Sequence, residues 1–230
     1  MPVLYHHTMS SASRFIRLVL GEYGLPVELT EEQPWEMRKD FIKLNPAGTL
    51  PVLVDDNMRV LCGAMVISEF LDETSGILKR DKRLLAEDPF QRAEIRRLTE
   101  WFLVKMEADV TKPLVRERIF KLQMPPTLGG GAPDSKILRM ARGNIRQHLK
   151  YISWLASSRT YLAGNRLSYA DLAAAAALSE LDYLGEITWA EAPQARDWYQ
   201  RIKSRPSFRP LLSERVRGVT PVSHYADLDF

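Results

Sequence analysis

The sequence predicts an α/β domain followed by an all-helical one. Three observations carry this reading. Short strand-like and helix-like runs alternate through the first third of the chain, no strand pattern recurs after it, and the charged stretch GILKRDKRLLAEDP separates the two rhythms. The expected boundaries are an α/β domain over residues 1–77, a linker over 78–89, a helical domain over 90–215 and a tail over 216–230. Alternation of strands and helices is the mark of an α/β layer, and long apolar stripes without strands mark a bundle.

The elements follow in order. Val3-Leu4-Tyr5 reads as a short buried strand. A helix is predicted from Ser11 to about Gly24, with Phe15, Ile16, Leu18, Val19 and Tyr23 inward, Ser10 as its cap and Gly24 as its close. Pro26–Thr30 reads as a second strand, and an irregular helix is expected around Trp35–Leu44, stopped by Asn45-Pro46 and Gly48. Leu50–Val54 turns at Asp55-Asp56-Asn57 into Met58–Leu61, a hairpin, and a helix follows over about Ala64–Glu73. Beyond Asp88-Pro89, Phe90–Leu122 shows Ile95, Leu98, Phe102, Met106 and Val110 three and four apart. Ser135–Ser157 repeats the pattern. Ser168–Leu184 is nearly all apolar, with small residues over Ala173–Ala177, and reads as a central buried helix. Pro193–Ser204 and Pro206–Glu214 complete the bundle.

Composition bounds the function. The 230 residues are 45% hydrophobic and 27% charged, as in a globular protein, and no apolar run reaches membrane-spanning length. MPVLYHHTMS lacks the features of a signal peptide, and one cysteine suits a reducing, cytoplasmic setting. The four histidines show no ligand spacing, so no metal is expected. The net charge of +3 is unevenly shared. Residues 1–80 hold 8 Lys/Arg against 11 Asp/Glu, and the remainder holds 24 against 18, so the helical half suits an acidic partner. No RNA-binding or other nucleic-acid motif accompanies that charge.

Three stretches together resemble the glutathione transferase superfamily: MSSASRFIRLVL, similar to the serine turn and first helix of zeta-like members; LNPAGTLPVL, similar to the loop entering a cis-proline; and GNRLSYADLAAAA, similar to the capping box that starts the central helix, with Ser168 answered by Asp171. The resemblance implies a thioredoxin-like domain joined to an all-helical transferase-type domain, usually as a dimer. It implies a cis bond before Pro51, with the backbone of Leu50 aimed at the cysteinyl part of glutathione. It places Ser10 at the catalytic position, where a hydroxyl at a helix start favours a thiolate. That gives an alternative reading, a glutathione-dependent transferase or isomerase.

Against this stands LCGAMVISEFL. In most of the family the helix after the hairpin starts with an acidic residue or Gln followed by Ser, which grip the γ-glutamyl end of glutathione. Ile67, Phe70 and Leu71 fix the frame, so Gly63 and Ala64 occupy the gripping positions with nothing to grip with. A frame using Ser68-Glu69 would break that apolar face. Each lost charge-assisted hydrogen bond costs about 1.5–3 kcal/mol. Glutathione binding is therefore expected to be lost, with no catalytic residue and no cofactor.

The sequence further resembles a bacterial transferase-like branch that binds FtsZ filaments in cell division without catalysis, which implies a cytoplasmic homodimer at the division site. Two surfaces are candidates for partners. Trp35 beside Arg38 suits an interface anchor. The tail, with Tyr225, Asp227 and Phe230, reads as a short docking peptide whose acidic residues suit a second division-site partner rather than an acidic filament.

Overall fold

Four short strands, β1 Val3–His6, β2 Glu28–Glu31, β3 Val52–Val54 and β4 Val60–Cys62, form one sheet in the computed structural model, which describes residues 1–229. The order is β2-β1-β3-β4; β1 runs parallel to β2 and antiparallel to β3, and β4 runs antiparallel to β3. All three residues of the interior strand β3 are buried, whereas the edge strand β2 is largely exposed. Buried central strands take continuous apolar runs, and VLV is one.

Helix α1 (Ser11–Tyr23) starts and stops where its chemistry dictates. Ser10 accepts the Ser13 N–H at 3.3 Å, and Gly24 turns left-handed (φ 61°) so that the Leu25 N–H reaches Leu20 O at 2.9 Å. Helix α2 covers only Lys39–Leu44. The helix expected from Trp35 is thus corrected. Pro34–Glu36 form a turn closed by Glu36 N–H to Gln33 O (3.0 Å), Met37 takes φ 47° and Arg38 is extended (ψ 129°), so helical geometry cannot begin before Lys39. Helix α3 (Ala64–Leu71) runs on through wider turns to Gly76.

The second half is helical. α4 spans residues 89–123, with Asp88 accepting the Gln91 N–H at 2.8 Å and Pro89 in its first turn. Several of its turns are wide, of the i→i+5 kind: Met106 N–H donates to Trp101 O, Lys112 to Glu107 O and Lys121 to Arg116 O. α5 is Ser135–Ser158, α6 Tyr169–Tyr183, α7 Pro193–Lys203 and α8 Arg209–Ser213. Every residue of α6 is buried, and its alanine run lets α1 and α4 pack closely upon it. Asp171 reaches back to the Ser168 N–H at 3.1 Å and also accepts from Trp198 Nε1 at 3.0 Å, which ties α6 to α7.

The tail packs back on its own domain, correcting the docking peptide. Tyr183 O accepts the Val222 N–H at 3.2 Å, and Tyr225 is buried with its ring 5.0 Å from that of Tyr183. The Tyr225 ring packs on Tyr183 at the end of α6 while its hydroxyl meets Arg14 and Leu211 O, and burial with those partners outweighs solvation. Tyr225 is therefore unavailable to a partner. Asp227 is exposed, and Phe230 lies outside the described residues.

Candidate functional site

A cleft of about 320 Å³ lies where the end of β1 and the start of α1 face α4 and α6. Ser10 and Leu50 both line it, and the Leu50–Pro51 bond is cis. Pro51 O accepts the Gly63 N–H at 2.9 Å, so the start of α3 adjoins the proline loop. Gly63 and Ala64 do not line the cleft. The structure thus brings Ser10 and Leu50 together and leaves Gly63 and Ala64 beside them, outside that cavity.

The start of α3 has no side-chain cap. Gly63 holds φ 89°, a region L side chains rarely adopt, and a Cβ there would meet open space. Ser68 and Glu69 are committed elsewhere. The Ser68 hydroxyl donates to Met65 O at 2.9 Å, and Glu69 takes a two-pronged ion pair from Arg96 of α4, both contacts at 2.7 Å. Of the three residues that set the frame, Ile67 and Leu71 are buried and Phe70 is half-buried against the core. Cys62 is half-buried with its thiol 3.7 Å from Leu44 O, and burial raises its pKa, which makes it a poor nucleophile.

The Ser10 hydroxyl is occupied as a cap acceptor and also borders the cleft. Trp35 is half-buried in the cleft wall rather than presented outward. Its ring centroid lies 4.9 Å from Phe120 and 6.0 Å from His7, and His7 and Phe120 are themselves edge-on at 4.9 Å. Arg38 is exposed and pairs with the buried Glu32 at 2.7 Å, so Trp35 and Arg38 have separate partners. His7 is kept neutral mainly by burial.

Two acidic residues of the cleft escaped the sequence reading. Glu180 lies on α6, within a run that reads as pure core, and Glu107 lies on α4. Both carboxyls are pushed up, chiefly by desolvation; Glu180 reaches about 8, with Glu107 adding to the rise and Arg14 opposing it. The one signal available was a carboxylate on the predicted buried helix, where an unpaired charge is costly. Among the described residues, no group of three His, Cys, Asp or Glu side chains is placed to hold a metal.

The glutathione S-transferase N-terminal domain model matches residues 9–74, and the C-terminal domain model matches residues 120–206. FtsZ-localized protein A of Caulobacter vibrioides is 43% identical over 230 residues, 99% of this chain and 97% of that protein. The chain belongs to the glutathione S-transferase superfamily. Within it, a solved structure described as a glutathione S-transferase from Sinorhizobium meliloti 1021 is 79% identical, covers all of both chains and superposes with a TM-score of 0.99. The solved structure of FzlA from C. crescentus is 42% identical, covers 100% of this chain and 99% of that one, and superposes at 0.91. The superfamily's thioredoxin-like sheet and helical bundle are the two layers described above, and the predicted fold class holds.

Proposed function

We propose that this protein is a non-catalytic, dimeric cell-division factor that associates with FtsZ filaments at the cytoplasmic face of the division site. The observation that carries the reading is its full-length likeness to a protein whose name places it with FtsZ. The bare helix start at Gly63-Ala64 supports it, because the grip for a tripeptide is missing from a cleft that keeps its other walls. Loss of glutathione binding is part of the same proposal. Fold alone decides nothing here, since relatives with this architecture are described as transferases.

Long-range attraction to an acidic filament would come from the helical half, where Arg139, Arg142 and Arg146 of α5 line one groove with Arg118 of α4 and outnumber the two acids there, Glu186 and Glu191, with which three of them pair. A dimer would present two such faces to a repeating polymer, and avidity would multiply modest contacts. Trp35 and Arg38 remain the proposed anchor, and Asp227 the proposed contact for a second division-site partner. The deciding experiment is co-pelleting of the full chain with GTP-assembled FtsZ. Sedimentation with the polymer supports the reading, and its absence at micromolar concentrations overturns it. The alternative, catalysis through Ser10, is favoured by the Ser10 hydroxyl bordering the cleft and is tested by retention on immobilised glutathione.

A further inference from the structure

The floor of the cleft carries an unmatched acid. Glu180 is 98% removed from solvent at 2% exposure, lines the cavity, and its Oε1 has no hydrogen-bond partner. A buried acceptor left unmatched costs about 1–3 kcal/mol, more for a charged group.

The nearby cation does not resolve this. Arg14 is fully buried, and its hydrogen bonds go to Thr8 O (2.6 Å), Ser179 Oγ (2.6 Å), Tyr225 Oη (3.3 Å) and Met9 Sδ (3.2 Å). None goes to Glu180. From α4, Glu107 faces the same space as a second acid, with Lys112 near it. From α1, the Ser11 hydroxyl lies near Glu180 but donates to Thr111 Oγ1 at 3.2 Å, while Glu214 and Tyr225 bear on Glu180 only through Arg14. The walls above are apolar and aromatic: Trp35, Phe120, Val115 and Met124. The polar groups converge at one end of an apolar cavity large enough for a small organic molecule.

We propose that this cleft binds a small organic amine, with its ammonium group against the carboxyls of Glu180 and Glu107 and its aromatic or apolar body against the wall that Trp35 and Phe120 form together. The geometry supplies a dry acceptor for N–H donors and ring faces for the rest of the molecule. Lys112 and Arg116, which also line the cleft, are exposed. Because the Glu180 carboxyl is largely protonated near neutral pH, the arriving ammonium displaces its proton to solvent: acid plus ammonium gives a carboxylate–ammonium pair plus one proton. No covalent bond to carbon is made or broken. This inference shares Trp35 with the proposed filament anchor, and its test contains no FtsZ, so the two readings fail separately.

The test is isothermal titration of the full chain near neutral pH with 2-phenylethylamine, 2-phenylethanol and 3-phenylpropanoate, in two buffers of different ionisation enthalpy. The amine is expected to bind at least tenfold more tightly than the alcohol or the acid. Its apparent enthalpy is expected to shift with the buffer, reporting proton release. Glu180→Gln is expected to weaken the amine at least tenfold and to abolish the buffer dependence, with an unchanged circular dichroism spectrum. Equal binding of amine and alcohol, preference for the anion, or a buffer-independent enthalpy in the unmodified protein overturns the proposal without recourse to any variant.

Discussion

Arg14, in the first helix, donates through Nη1 to the hydroxyl of Tyr225, in the C-terminal segment, at 3.3 Å; both residues are buried. The same hydroxyl lies 3.2 Å from Leu211 O and donates to it, and Lys203 Nζ sits 5.6 Å from the Tyr225 ring. The tail is thus a structural clasp on the charged interior rather than an appendage. Hydrogen bonds to charged groups contribute about 1.5–3 kcal/mol, and a buried charge that loses a partner is heavily penalised. Tyr225→Phe is expected to destabilise the protein by about 1–2 kcal/mol and Tyr225→Ala by about 3–5 kcal/mol. Urea unfolding measures both; a neutral Tyr225→Ala would show that the tail contributes nothing.

Millimolar glutathione is expected to leave the melting temperature of the protein unchanged, because a ligand stabilises only as its concentration exceeds its Kd. The double variant Gly63→Glu, Ala64→Ser should gain a glutathione-dependent rise. It should also start from a lower melting temperature, since φ 89° at residue 63 strains any side chain by about 1–3 kcal/mol. An upward shift in the unmodified protein would refute the loss of the grip.

Trp35→Ala should reduce co-pelleting with FtsZ. Because the ring also packs on Phe120 and His7, circular dichroism must show that the fold survives. Asp227→Lys should leave co-pelleting largely intact and disturb division in cells. Rising salt should weaken pelleting as screening shortens. The reverse pattern, with Asp227 required and Trp35 dispensable, would exchange the two surfaces.

A homodimer should sediment at twice the mass of the 26.3 kDa chain. Val66 of α3 and Phe90 at the start of α4 are exposed apolar side chains on the two elements that the Glu69–Arg96 pair joins. An interface joining the first domain to the long helix of its mate would cover them. Val66→Asp should shift the sedimenting mass toward one chain; a monomeric unmodified protein at micromolar concentration would end the dimer proposal.

Stability should fall from about pH 6.5 to about pH 8 in a way that Glu180 controls. Its carboxyl titrates near 8 when folded and near the ordinary 4.5 when unfolded. Between those values the native state holds a proton that the unfolded chain gives up, so rising pH favours unfolding. His6, held down at about 3 by burial beside Arg17, acts in the opposite sense below about 6.5, as do the buried His7 and His148; Glu107 and Asp171, whose carboxyls burial also raises, act in the same sense as Glu180, so the comparison with Glu180→Gln separates its share. Glu180→Gln should flatten the slope, a difference of up to about 2 kcal/mol by chemical denaturation across that range. Parallel pH profiles for both proteins would show that Glu180 does not control it.

Local chemistry made much of this legible. Ser10 and Gly24 frame α1 because a cap hydroxyl and a left-handed close act within a few residues of themselves. Ser168 and Asp171 announce α6 for the same reason. The failures are all non-local. Trp35 carries helix-compatible neighbours, yet Met37 turns to positive φ and the ring goes instead to Phe120, 85 positions away by residue number. Tyr225 looked like a free anchor because nothing near it in sequence reveals the slot made by Tyr183, Lys203 and Arg14. Glu180 sits in a helix whose pattern is apolar, and only the assembled cleft shows what a carboxyl does there.

The wide turns of α4 have a geometric corollary. Leu98, Phe102, Met106, Val110 and Leu114 are all buried and recur at every fourth position. On a regular helix each step of four overshoots a full revolution by about 40°, so such a row would spiral from the interior out to water within a few steps. Slackening the winding at Trp101, Glu107 and Arg116 cancels the overshoot and keeps the row in phase. The helix therefore behaves like a screw cut to a coarser thread. Removing a single residue between 101 and 120 would tighten one of these turns and rotate everything downstream, Phe120 included, away from the wall it completes.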